Sequence, residues 1–145
     1  MQDLADLLPR VSRLSEAAGQ AILEIYRQDQ IQVRDKADSS PLTEADLAAH
    51  RLILRGLQDL TPGIPVLSEE SGGIPYPERR QWRQFWLVDP LDGTREFIGR
   101  NDQFTVNIAL VEAGIPILGV VHAPALGLTY SAAQGLGAYK GEDPI

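Results

Sequence analysis

The chain has 145 residues, 43% of them hydrophobic and 23% charged, which fits one compact domain and excludes an intrinsically disordered chain. It contains no cysteine, so disulfide scaffolds, thiolate nucleophiles, Cys-ligated zinc and iron–sulfur clusters are excluded, and any metal must be held by oxygen or histidine. Twenty acidic against 13 basic side chains give a net charge of −7, which argues against non-specific binding to nucleic acid or anionic lipid.

The first residues, Met1-Gln2-Asp3-Leu4-Ala5-Asp6, are acidic where a secretory signal is basic. No apolar run approaches the roughly 18 residues of a membrane span. A soluble, intracellular protein without a transmembrane segment is expected. From 7 to 26, Leu7, Val11, Leu14, Ala18, Ala21, Ile22 and Ile25 recur at helical spacing, with Pro9 expected in the first turn. A short polar strand over 32–36 and a turn-rich stretch at 37–41 follow. A second helix is expected over 43–60, with Leu47, Leu54 and Leu57 marking one face and Thr61-Pro62-Gly63 ending it.

The period then changes to two. Residues 64–67 and 85–88 are short apolar runs that read as buried strands, separated by a Gly- and Pro-rich loop. From 103 to 111, Phe104, Val106, Ile108 and Leu110 share one face while Thr105, Asn107 and Ala109 share the other. Glu112-Ala113-Gly114 turns the chain into a partner strand at 115–122, giving an antiparallel hairpin. Two more strands are expected at 128–132 and 137–140, and 141–145 reads as a loop. Helices first and strands afterwards make an α+β layered domain, two N-terminal helices packed on a largely antiparallel sheet. The run Ile115-Pro116-Ile117-Leu118-Gly119-Val120-Val121 is apolar on both faces, which implies a partner covering the second one.

The strongest chemical signal is Trp86-Leu87-Val88-Asp89-Pro90-Leu91-Asp92-Gly93-Thr94. A buried strand is expected to end at Asp89, with Asp92 following within a turn so that both carboxylates converge. Carboxylates that close repel unless a cation lies between them, and with the Leu91 carbonyl they form a hard-oxygen set suited to Mg²⁺. An Asp-Gly turn with capping carboxylates accounts equally well for the bare motif. Val66-Leu67-Ser68-Glu69-Glu70-Ser71-Gly72 places two more acids after a buried strand, so Glu69 can join Asp89 and Asp92 around shared ions. In Asp38-Ser39-Ser40-Pro41-Leu42-Thr43-Glu44-Ala45-Asp46, local physics first makes Thr43 an N-cap and Asp46 its capping-box partner. The alternative makes Asp46 a base that accepts the Thr94 hydroxyl proton, so that Thr94 orients a water for attack. His50 and His122 read as packing or surface groups, and Ser68 and Ser71, without a histidine partner, are not expected to be nucleophiles.

Three motifs, Asp38-x-Ser-Pro-x-Thr-x-Ala-Asp46, Leu67-Ser-Glu-Glu70 and Trp86-x-x-Asp-Pro-Leu-Asp-Gly-Thr94, together resemble the Mg²⁺-dependent, lithium-sensitive phosphatases of the inositol monophosphatase superfamily. The resemblance covers nearly the whole chain. Asp92-Gly-Thr-Arg-Glu-Phe97, the run from Arg100 to Leu110 and Ile117-Leu-Gly-Val-Val121 resemble its CysQ-type 3'(2'),5'-bisphosphate nucleotidase branch.

The resemblance implies the N-terminal lobe of a layered α/β/α/β/α sugar-phosphatase fold. It implies Glu69, Asp89, Asp92 and the Leu91 carbonyl as ligands of two or three Mg²⁺ ions. It further implies Asp46 and Thr94, with Glu69, at the nucleophilic water, and Gly93 and Thr94 at the substrate phosphate. The implied reaction converts 3'-phosphoadenosine 5'-phosphate to AMP and phosphate, with an inositol-monophosphatase or fructose-bisphosphatase-like activity, or a non-catalytic Mg²⁺-binding half, as alternatives. The implied location is cytoplasmic, with a peripheral place at the inner membrane as the variant. Family members run beyond 145 residues and carry a further metal-binding Asp in their C-terminal half, so residues 1–145 are expected to be the N-terminal metal-binding lobe. A homo-oligomer or a complementary C-terminal lobe is the expected partner, and the isolated chain is expected to lack a complete second-metal site.

Overall fold

A computed structural model describes residues 3–28, 41–68 and 74–145. The expected strand at 32–36 lies outside the described residues. Helix α1 spans Leu4–Gln28 and α2 spans Pro41–Leu60. Strand β1 spans Val66–Ser68, and a single helical turn, α3, spans Tyr76–Arg79 within the expected loop. Then come β2 (Gln84–Asp92), α4 (Thr94–Gly99), β3 (Thr105–Glu112), β4 (Ile115–Ala123), β5 (Leu128–Ala133), β6 (Gly137–Lys140) and β7 (Asp143–Pro144). The seven strands form one sheet in sequence order; β1 and β2 are parallel and every other neighbouring pair is antiparallel.

Helix α1 starts a turn earlier than its apolar period suggests. Asp3 caps it: its Oδ1 accepts from the Ala5 amide at 3.0 Å and its carbonyl accepts from the Leu7 amide at 2.9 Å. Pro9 therefore lies inside the helix, not in its first turn. Helix α2 likewise begins at Pro41, a residue favoured at the first helical position, which places Thr43 within the first turn and overturns its reading as N-cap. The buried stripe of α2 is Ala45, Ala49, Ile53 and Leu57; Leu47 and Leu54 are only half-buried. Small residues on that stripe let α1 and α2 approach closely while both pack on the sheet.

The helix-covered face of the sheet presents Trp86, Val88, Val106, Ile108, Leu110, Leu118 and Val120, each nearly inaccessible to solvent. The period-two expectation for the hairpin holds in full on this side: Phe104, Val106, Ile108 and Leu110 are buried, while Thr105, Asn107 and Ala109 are half-exposed on the other. On that second face Leu87 is 46% and Val121 43% exposed, and no described element covers them. The terminal residues 143–144 pair with β6, correcting the loop expected there.

Candidate active site

Strand β2 carries the site because its first half is firmly anchored. Trp86 is fully buried; its Nε1 donates to Thr61 Oγ1 at 2.8 Å, and that hydroxyl donates to the Leu57 carbonyl at 2.9 Å. Its amide donates to the Pro65 carbonyl at 2.9 Å. The turn after α2, strand β1 and strand β2 are thus held together, and Ser68, the last described residue of β1, pairs with Val88.

Contrary to expectation, the strand does not stop at Asp89. It continues through Pro90 and Leu91 to Asp92. Asp89 pairs with Asn107 and Asp92 with Thr105, so β2 advances three residues where β3 advances two. The surplus residue is a β-bulge, and a bulge is where proline can sit within a sheet. A one-residue slip exchanges the faces of a strand. Pro90 and Leu91 are consequently both buried, and Asp92 returns to the same open face as Leu87 and Asp89. The two carboxylates are brought to one side of the sheet by this irregularity, at the end of the strand.

Asp89 is half-buried, with Oδ1 shut away from solvent, whereas Asp92 is exposed. Asn107, opposite Asp89 in the ladder, donates from Nδ2 to Asp92 Oδ2 at 3.3 Å. Beside Asp89 the open face forms a shallow hollow of about 340 Å³ lined by Leu87, Asn107, Ala109, Gly119 and Val121. Gly93 follows with φ of 95°, the left-handed region that a side chain disfavours, and caps α4, its carbonyl accepting from the Phe97 amide at 2.9 Å. A Cβ built on Gly93 would lie 3.1 Å from Glu96 Oε1 and 3.2 Å from the Phe104 Cα. Thr94, the first residue of α4, is exposed at the rim.

Asp89, Leu91, Asp92, Gly93 and Thr94 therefore stand in one continuous stretch at the edge of the open face. Asp46 is half-buried near the start of α2, a helix that touches both β2 and α4. Glu69 lies outside the described residues, as do Asp38 and Glu70. Among the described residues no three His, Cys, Asp or Glu side chains gather as a metal-binding group.

One expectation is corrected directly: Ser68 does have a histidine neighbour, His50 Nδ1, 3.1 Å from its Oγ. Ser68 is only 5% exposed, so the pair ties α2 to β1 and has no room for a substrate. Asn107, the partner of Asp92, was not singled out from the sequence. Its signal was there, a polar side chain at a period-two position facing away from the core.

The inositol monophosphatase family model matches residues 3–145. The chain is 53% identical over 130 residues to the 3'(2'),5'-bisphosphate nucleotidase CysQ of Escherichia coli strain K12, covering 89% of this chain and 52% of that protein. It is 44% identical over 134 residues to the protein of the same name from Haemophilus influenzae, covering 92% and 49%. The chain thus spans about half the length of the curated relatives it matches. Among solved structures it is similar to CysQ from Bacteroides thetaiotaomicron, described as a bacterial member of the inositol monophosphatase family, with a TM-score of 0.79 and 49% identity over 88% of this chain and 45% of that one. An inositol monophosphatase from Anabaena superposes with a TM-score of 0.82 at 27% identity, over 99% and 50%. With its motifs, its sheet and its family match in agreement, the chain belongs to the inositol monophosphatase family.

Proposed function

We propose that residues 1–145 form the N-terminal metal-binding lobe of a Mg²⁺-dependent phosphomonoesterase that removes the 3'-phosphate of 3'-phosphoadenosine 5'-phosphate, giving AMP and phosphate. The observation that carries the reading is the β2 bulge, which returns Asp92 to the face of Asp89. The inositol monophosphatase family is generally Mg²⁺-dependent. The donors present here are carboxylates and a backbone carbonyl, the hard oxygens that Mg²⁺ selects. In this reading Asp89, Asp92 and the Leu91 carbonyl hold metal, with Glu69 as the third carboxylate. When bound, Mg²⁺ supplies positive charge that offsets repulsion between these acids and an anionic substrate.

The chain's own groups then do the positioning. Asn107 fixes one oxygen of Asp92 through its amide. The Thr94 hydroxyl donates its hydrogen bond to Asp46, which leaves its oxygen to accept from the attacking water and orient it, and the turn at Gly93 brings backbone close to the phosphate. Fixed dipoles and charges of this kind carry most of the rate in phosphoryl transfer. Nucleotide is favoured over polyol phosphate because nucleotidase-named relatives reach 54% identity, against 27% for the Anabaena inositol monophosphatase. Inhibition by lithium belongs to the same proposal.

The bare apolar face around Leu87 and Val121 is read as the seat of a complementary C-terminal lobe or a second copy, since contiguous exposed apolar surface marks an interface. Among the described residues no helix is long and apolar enough to cross a membrane, and a cytoplasmic location is part of the proposal.

The test is phosphate release from 3'-phosphoadenosine 5'-phosphate, with and without Mg²⁺, by this chain and by the same chain joined to the C-terminal half of the Escherichia coli relative. Mg²⁺-dependent release by the joined protein, lost in Asp92→Asn, supports the reading. Release that needs no Mg²⁺, or that prefers inositol monophosphate, contradicts it.

A further inference from the structure

A second cluster stands at the far end of α4, and the reaction sketched above does not use it. Tyr26, in the last turn of α1, is buried against Phe97 and Phe104, with ring centroids 5.2 and 4.8 Å away. Those two rings meet edge-on at 5.4 Å. The Tyr26 hydroxyl donates to Asp102 Oδ1 at 2.8 Å. Arg100 doubles the link: its guanidinium lies 4.7 Å over the Tyr26 ring and its Nη1 donates to the Tyr26 carbonyl. Arg100 and Asp102 hold φ of 61° and 69°, left-handed conformations that side chains seldom adopt and that persist where surrounding contacts over-determine them.

The kinds of contact differ in what they fix. Burial of Phe97 and Phe104 holds α4 against the core without direction, and leaves the short helix free to turn about its own axis. A cation over a ring and a phenol bonded to a carboxylate are directional, and they remove that freedom. Helix α4 is six residues long, about 9 Å at the usual rise per residue, so rotation at one end reaches Gly93 and Thr94 at the other.

We propose that Tyr26 and Arg100 are positioning residues that fix the rotation of α4 and so hold Gly93 and Thr94 in place beside Asp92. The proposal rests on the phosphatase reading for the role of Thr94, but its structural core does not.

The experiment compares amide hydrogen exchange, followed by NMR on the full 145-residue chain, in Arg100→Gln, Tyr26→Phe and Asp102→Asn, with Ile53→Val as a core control. In Arg100→Gln, the amides of Phe97 and Asn101, which donate to the Gly93 and Glu96 carbonyls, exchange about tenfold faster while those of Ile108 and Val120 keep their rates. Tyr26→Phe, which keeps the ring and loses the hydroxyl, gives about a threefold change at the same amides. Asp102→Asn, which keeps an acceptor oxygen and tolerates the left-handed backbone, stays near wild type. In phosphate release by the joined protein, Arg100→Gln lowers kcat about tenfold with KM unchanged. Unchanged exchange at α4, a uniform rise across α4 and β3–β4, or an equal rise in Ile53→Val overturns the proposal. A wild-type joined protein that releases no phosphate overturns the phosphatase reading instead, and the exchange pattern alone then decides this one.

Discussion

The two faces of the sheet are built from the same strands and obey opposite rules. The face beneath α1 and α2 is a packed core in which Trp86, Phe104 and Leu110 are completely inaccessible. The open face mixes apolar residues with Asp89, Asp92 and Asn107, and Leu87 and Val121 remain nearly half-exposed. A core is set by alternation, and a polar group there costs stability unless it is hydrogen-bonded, as Thr61 and His122 are. On the open face one inserted residue is enough to place two acids side by side, because that surface can tolerate a break in the ladder. In the proposed reading stability and chemistry are divided between the faces, and substitutions should separate them.

The largest effect is expected on the covered side. Trp86→Ala removes the biggest buried side chain and the donor to Thr61 Oγ1, and it should cost about 3–5 kcal/mol of unfolding free energy by urea denaturation. A loss below about 1 kcal/mol would mean that the covered face is not the core. At the junction of the faces, Gly93→Ala forces a side chain into a left-handed position and against the Phe104 backbone. It should cost about 1–2 kcal/mol from the backbone alone and disturb Thr94. A neutral Gly93→Ala would show that the turn relaxes freely.

Titration probes the covered side from both ends of the pH scale. His122 is shut beneath α1, where its ring fills the space that a Cβ on Gly19 would take. Its Nδ1 lies 2.9 Å from Thr129 Oγ1, which itself donates to Glu16 Oε2, so Nδ1 carries the hydrogen. Burial lowers its pKa below 6.5, against the opposing pull of Glu16 and the Leu128 carbonyl. The unfolded chain therefore takes up the proton first, and the stability that neutral His122 contributes is complete above pH 6.5 and is lost as pH falls through the lower folded value. Thermal unfolding at pH 7.5 and 5 should show a fall that is smaller in His122→Gln; equal falls would contradict the assignment.

Tyr26 behaves in the opposite sense. Burial and the bond to Asp102 raise its pKa above 10, so its contribution is complete below pH 10 and is lost as pH rises through the folded value. Tyr26→Phe should blunt the alkaline loss of stability, and an unaltered alkaline limb would count against it.

The smallest effect belongs to the open side. Leu87→Thr and Val121→Thr should shift stability within about 0.5 kcal/mol and reduce self-association seen by sedimentation. A cost of core size would mean that part of this chain covers that face.

Much of this was legible from residue patterns, and the failures have physical causes. The α1 and hairpin periods could be read directly because each is long and buried on one side. The start of α1 was missed because Asp3 caps it through a side-chain bond that precedes the first apolar residue. The continuation of β2 was hidden by Pro90, which argues against a central strand unless a bulge accommodates it. Helix α4 was too short for a period to register, and its rotation is fixed by Tyr26, 68 residues before its first residue, Thr94. The acids of the site were visible as a motif, but which face they shared was not, because that depends on a register slip against β3 that only pairing reveals.

The most direct test of the central claim is Mg²⁺ binding by titration calorimetry to the wild-type chain and to Asp92→Asn. Saturable binding in the wild type, absent from Asp92→Asn while its thermal midpoint is unchanged or raised, is the expected result. Equal Mg²⁺ binding by both proteins would contradict the assignment of the open-face acids as the metal site.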